Sequence, residues 1–206
     1  MRFERGFYAI LDRDDEPLAR MLAAHADVLQ VRIKPGDAAD VLRVARMARR
    51  VCDEAGIRMF VNDRVDLAMA ANADGVHLGQ TDLPIEAARR IAPHLRVGIS
   101  THSLEQMQRA IESAPDYAAY GPVFATRTKE NPDPVQGTEA LARAVAAAGQ
   151  VPVVAIGGIT PREAASVFAT GVSAVCAISS VNGADDVGAA ARCLWRRGVA
   201  GSATGE

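Results

Sequence analysis

The chain has 206 residues, 49% hydrophobic and 23% charged, the composition of an ordinary soluble domain that can bury a real core. A formal net charge of -2 argues against a nucleic-acid surface, so small anions are better partners than polymers. Three cysteines without a CxxC pair exclude a disulfide framework and a zinc knuckle and point to the cytoplasm, while no stretch reaches the roughly 18 apolar residues of a membrane span.

Short apolar runs of strand type recur along the chain at 7–12, 28–34, 59–63, 75–79, 96–101, 117–123, 151–158 and 174–179. Amphipathic segments separate them; in 38–55, Val41, Leu42, Val44, Ala45, Ala48 and Cys52 recur at helical spacing while arginines take the other face. Eight strands, each feeding a helix, predict an α/β fold: a single-domain (β/α)8 TIM barrel over residues 1–197, compact beside the usual size of about 250 residues. The small, polar segment 198–206 reads as a disordered tail. A doubly wound sheet is the alternative fold. Against it, polar residues close nearly every strand at its C-terminal end, and a barrel gathers all those ends into one mouth, whereas an open sheet offers only the crevice where strand order reverses.

Along the chain, Gln30, Arg32 and Lys34 come first. They alternate with period two, so on a strand they share a face, which in a barrel points inward and needs an anion or polar ligand; on an edge strand the same residues would be solvated charges. Asn62 and Asp63 end the third strand, and Asp82 lies just after the fourth. Either aspartate alone suits an N-cap, but hard oxygen ligands from two adjacent strand ends suit Mg²⁺, which takes one or two carboxylates plus substrate phosphates. His77 is open to a structural or a substrate-contacting role, and His102, behind Ser100 and Thr101, is within reach of the mouth. The run 120–130 breaks at Gly121-Pro122 and then offers Thr126, Thr128 and Lys129, two hydroxyls and a charge that can grip a pyrophosphate. Gly157-Gly158, followed by Thr160-Pro161, and Ile178-Ser179 end the seventh and eighth strands, where such barrels recurrently bind phosphate. No HExxH, GxSxG, GxGxxG or GxxxxGK[ST] pattern occurs, which removes support for zinc, hydrolase, Rossmann and Walker chemistry.

The ordered set 30–34, 62–64, 75–82, 100–102, 121–129, 155–158 and 178–179 resembles the thiamine phosphate synthase family over nearly the whole chain. The resemblance implies a transferase that joins 4-amino-2-methyl-5-hydroxymethylpyrimidine diphosphate to 4-methyl-5-(2-phosphoethyl)thiazole, releasing pyrophosphate. It implies that Gln30, Arg32, Lys34, Asn62, Ser100 and Lys129 bind the pyrimidine diphosphate, with Arg32, Lys34, Ser100 and Lys129 acting in catalysis. Asp63 and Asp82 would hold Mg²⁺, and Thr126, Thr128, Gly158, Ile178 and Ser179 would bind the thiazole phosphate. Two positions depart from the pattern: Ile33, where an acidic residue is common, and Thr160, where an asparagine is. The second resembles the related thiazole tautomerase, which remains an alternative, as does a non-catalytic barrel that binds a phosphorylated metabolite.

Overall fold

The computed structural model describes residues 1–4, 6–126 and 133–202, the last eight of these as backbone only. Eight parallel strands close into a barrel in simple chain order: β1 (Phe7–Leu11), β2 (Val28–Val31), β3 (Arg58–Asn62), β4 (Gly75–Leu78), β5 (Arg96–Thr101), β6 (Tyr117–Tyr120), β7 (Val153–Ile156) and β8 (Ala174–Cys176). The return pairing of β1 with β8 leaves no edge. The intervening helices are α1 (Glu16–Ala23), α2 (Ala38–Ala55), α3 (Val65–Ala70), α4 (Ile85–Ile91), α5 (Leu104–Glu112), α6 (Gly137–Ala148), α7 (Ala164–Phe168), α8 (Ser179–Asn182) and α9 (Val187–Ser202). Among the described residues no helix is long and apolar enough to cross a membrane.

Local chemistry sets several boundaries. Asp15, Asp37 and Ser103 cap α1, α2 and α5, each side chain accepting a backbone N–H three residues on. Gly56 ends α2 at φ 67°, a left-handed cap that costs glycine nothing. The predicted helix over 38–55 is α2 without adjustment. The regular part of α7 starts at Ala164, and the turn before it is already capped: the Thr160 carbonyl accepts from the Glu163 and Ala164 N–H groups, and Glu163 folds back to accept from the Thr160 N–H and hydroxyl. The expected tail boundary at 198 falls inside α9, which runs to Ser202.

Period-two alternation divides the strands between two cores. Phe7, Ala9, Leu11, Leu29, Val31, Met59 and Val61 face outward and meet Leu18, Leu22, Val44 and Ala48 of the helices. Tyr8, Ile10, Val28, Phe60, Tyr117, Val154 and Cys176 face inward and fill the barrel. The large rings fit because the neighbouring strands carry glycine: a Cβ on Gly75 would stand 2.3 Å from Phe60, and one on Gly98 2.1 Å from Tyr117. The interior is therefore a packed core with a polar top, and the strand ends above it form the mouth.

Candidate active site

Three of the polar residues expected to share an inward face do not share a strand. β2 ends at Val31, since the Arg32 N–H makes the last bond to Leu11 and Pro35-Gly36 turns the chain. Gln30 alone points into the barrel, 2% exposed, donating to the Tyr8 hydroxyl at 2.9 Å. Arg32 is half-buried, and its positive charge acts on both His77 and Cys176. Lys34 is exposed, and its Nζ meets Asp63 at 2.7 Å.

The carboxylate pair does converge. The chain leaves β3 through Asn62 and turns at Asp63, whose φ of 62° is left-handed and whose N–H donates to His77 across the strand gap at 2.7 Å. Asp82 folds back over the end of β4, where its Oδ2 accepts from the Gly79 N–H at 2.6 Å. Burial raises the Asp82 carboxyl above its ordinary range; the Gly79 bond opposes this, and a hydrogen bond and like-charge repulsion from Asp63 add to it. Two carboxyls this close hold a shared proton or a cation between them. The donor set is hard oxygen on adjacent strand ends, with a lysine already on one member, and it fits a divalent ion that brings its own waters and a phosphate ligand. Among the described residues no three histidine, cysteine or acidic side chains are grouped so as to hold a metal ion, so further ligands would come from substrate and water.

Ser100, half-buried near the end of β5, has its hydroxyl 2.8 Å from His77 Nε2, and its carbonyl accepts from Gln80 at 2.6 Å. His77 is 8% exposed, and burial pushes its imidazole down to about 4, so it is neutral at physiological pH. Beneath it, Nδ1 lies 2.7 Å from the Tyr117 hydroxyl, which in turn lies 2.7 Å from that of Tyr8. Reasoning from the sequence missed Tyr8 and Tyr117. The available signal was a phenol at an inward position of two strands, where a buried hydroxyl requires a partner. His102 turns away from the carboxylates, its Nδ1 on the Gly121 carbonyl at 2.7 Å and 3.6 Å from Asp133.

On the far side, Gly157 and Gly158 both have positive φ, and a Cβ on Gly158 would stand 2.4 Å from the Ala125 carbonyl. The glycine pair is thus explained by the chain packed over it: the N–H groups of Val123 and Phe124 bond to Ile156 and Gly157, which holds Thr126, half-buried, beside the end of β7. Ile178 is half-buried and caps α8, Ser179 is exposed, and Ser180 is tied to the Ile159 carbonyl at 2.8 Å. Thr128 and Lys129 lie outside the described residues.

Comparison with known proteins agrees with this geometry. Residues 7–181 match the family model for thiamine monophosphate synthase. The thiamine-phosphate synthase of Methanoculleus marisnigri is 45% identical over 195 residues, covering 94% of this chain and 92% of its own. That of Methanocella arvoryzae is 44% identical over 176 residues, with 85% and 82% covered. The solved thiamine phosphate pyrophosphorylase of Pyrococcus furiosus superposes with a TM-score of 0.88 at 36% identity, covering 96% of this chain and 98% of that one. A family match across all eight strands, joined to relatives of this closeness over nearly their full length, shows that the chain belongs to the thiamine monophosphate synthase family of transferases.

Proposed function

We propose that the barrel mouth joins 4-amino-2-methyl-5-hydroxymethylpyrimidine diphosphate to 4-methyl-5-(2-phosphoethyl)thiazole, with release of pyrophosphate. The observation that carries this reading is the contact between Asp63 and Asp82 beside Lys34. Two carboxylates at adjacent strand ends serve a diphosphate held with a cation, whereas a site for one monophosphate, such as a thiazole tautomerase needs, has no use for them. Asp63 and Asp82 are the residues to hold Mg²⁺, which when bound supplies positive charge against the leaving diphosphate.

The chain's own residues do the rest. Lys34 and Arg32 bring fixed cations to the diphosphate, Gln30 and Asn62 line its pyrimidine end, and Ser100 offers a hydroxyl. Departure of pyrophosphate leaves a methylene cation that the electron-rich aminopyrimidine stabilises itself, so no protein nucleophile is required. Binding of the thiazole phosphate by Thr126, Gly158, Ile178 and Ser179, with Thr128 and Lys129 closing the set, orients the ring nitrogen for attack and keeps water out. Buried, unpaired Cys52 and Cys176 agree with action in a reducing cytoplasm.

The test is a pyrophosphate-release assay with both substrates, each alone, and with excess chelator. Release is expected only with both substrates and a divalent ion. Thiazole isomerisation without consumption of the pyrimidine diphosphate would establish the tautomerase instead, and binding without turnover would establish the metabolite-binding barrel.

A further inference from the structure

A buried row of hydrogen bonds crosses the barrel interior from Gln30 to Ser100, both assigned to the pyrimidine diphosphate, through Tyr8, Tyr117 and His77, which are assigned to neither substrate. Its contacts are 2.9 Å from Gln30 Nε2 to Tyr8 Oη, 2.7 Å from Tyr8 to Tyr117, 2.7 Å from Tyr117 to His77 Nδ1 and 2.8 Å from His77 Nε2 to Ser100 Oγ. Tyr8 and Tyr117 are 2% and 1% exposed, so neither phenol can turn to solvent for a partner.

The direction of the row follows from its first member. The Gln30 amide nitrogen can only donate, so the Tyr8 oxygen accepts, and the Tyr8 proton then has Tyr117 as its partner. Tyr117, having accepted, must donate to His77 Nδ1. A ring nitrogen that accepts carries no proton, so the imidazole is the Nε2–H tautomer, and it donates to Ser100. Ser100 has then accepted from below, and its own proton is left to point into the mouth. Reversing either phenol step would leave a buried hydroxyl proton without an acceptor, and reversing the last would ask both nitrogens of a neutral imidazole to accept, each at a cost comparable to a lost hydrogen bond.

We propose that Tyr8, Tyr117 and His77 are positioning residues that fix Ser100 as a hydrogen-bond donor to the departing diphosphate. The inference rests on the placement of the pyrimidine diphosphate against Ser100 in the proposed function. A hydroxyl free to rotate would spend part of its time as an acceptor, repelling the negative charge that grows on the leaving oxygen. A hydroxyl with its lone pair already engaged presents its proton before the charge appears and needs no reorganisation when it does.

Two measurements test the proposal. The first uses the wild-type protein without substrate: ¹⁵N chemical shifts of the His77 ring at neutral pH. The neutral Nε2–H tautomer is expected; the Nδ1–H tautomer or a protonated ring would overturn the proposed direction, whether or not any variant folds and whatever the reaction proves to be. The second is a double-mutant cycle between Tyr117→Phe and Ser100→Ala, read as kcat for pyrophosphate release. Tyr117→Phe is expected to lower kcat by about tenfold in the wild-type background, with the KM for the thiazole phosphate unchanged, and by less than about twofold when Ser100 is already alanine. A purely structural role for Tyr117 predicts the same factor in both backgrounds, and that result, or no effect in the wild type, would sink the proposal. If the wild type releases no pyrophosphate at all, the parent reading fails, and the tautomer measurement still stands on its own.

Discussion

Asp63 sits at φ 62°, a region that residues with a Cβ enter at a cost of order 1 kcal/mol and that aspartate tolerates better than most. Strain at a carboxylate that touches a second carboxylate belongs to function rather than to folding. We expect Asp63→Gly to keep or raise the melting temperature while pyrophosphate release falls at least about 10²-fold, because the backbone relaxes as the cation loses a ligand. Asp82→Ala should fall comparably, and the double variant less than multiplicatively, since both changes disable one ion. A titration of rate against Mg²⁺ concentration checks the activity of all three variants, and a thermal melt of Asp63→Gly checks its stability. His77 makes a separate prediction about stability. Its folded pKa of about 4 lies below the unfolded value of 6.5, so the unfolded chain binds the extra proton between those limits. The contribution is complete above pH 6.5 and is lost as pH falls toward 4, at a slope of about 1.4 kcal/mol per pH unit in the steep part. Urea melts of wild type and His77→Gln between pH 7.5 and 4.5 should show the wild type losing more, and parallel curves would refute it. At this scale the sequence pointed to the charged candidates Asp63, Asp82 and Lys34, because each is a charge within a few residues of an apolar strand-type run. It hid Tyr8 and Tyr117, whose hydroxyls take meaning from partners 22, 40 and 109 positions away.

At the scale of elements, strand existence was legible throughout and strand ends were not. A run such as 28–34 keeps its alternation past the last ladder bond, so periodicity alone extended β2 over Arg32 and Lys34, and two residues assigned to a strand belong to the loop that serves the mouth. The opposite end of the barrel shows a regularity that the sequence does contain. Asp27, Asp74 and Asp116 immediately precede β2, β4 and β6, and each accepts from the backbone N–H at or next to the start of the preceding odd strand, Gly6, Met59 and Val97, at 2.7, 2.8 and 2.9 Å. The backbone N–H of each aspartate donates back to that strand, and Ser173 makes the same backbone bond before β8. Three pairs of neighbouring strands, β1 with β2, β3 with β4 and β5 with β6, are thus joined at the base by a reciprocal pair of bonds that fixes the register from which the residues of the mouth take their height. Removing one carboxylate leaves a part-buried N–H unpaired. Asp116→Ala should cost about 1 to 3 kcal/mol in chemical denaturation with kcat little changed, whereas Asp116→Asn, which keeps an acceptor oxygen, should recover most of it. A large loss of kcat at full stability would contradict the division between a structural base and a reactive top.

For the whole molecule, the barrel must hold three large rings inside eight short strands, and glycine on the neighbouring strands makes that possible. Gly98 is the sharpest case: the Cβ of an alanine would lie 2.1 Å from Tyr117 Cζ and 2.5 Å from its hydroxyl oxygen. Tyr117 cannot swing aside freely, because its hydroxyl is held by Tyr8 and His77 and its ring packs edge-on against Phe60 at 5.7 Å and Phe3 at 6.1 Å. Overpacking of this kind costs about 1 to 3 kcal/mol, and here the displacement runs directly into the row that ends at Ser100. Gly98→Ala should therefore lower stability and kcat together, although residue 98 touches neither substrate in the arrangement proposed. The two losses are separable. In the Gly98→Ala background, Tyr117→Leu gives the new methyl room, so the melting temperature should recover while kcat stays low, because the hydroxyl is gone. Recovery of both would mean that the interior of the barrel supports the mouth through packing alone and that the hydrogen-bonded row adds nothing to the chemistry above it.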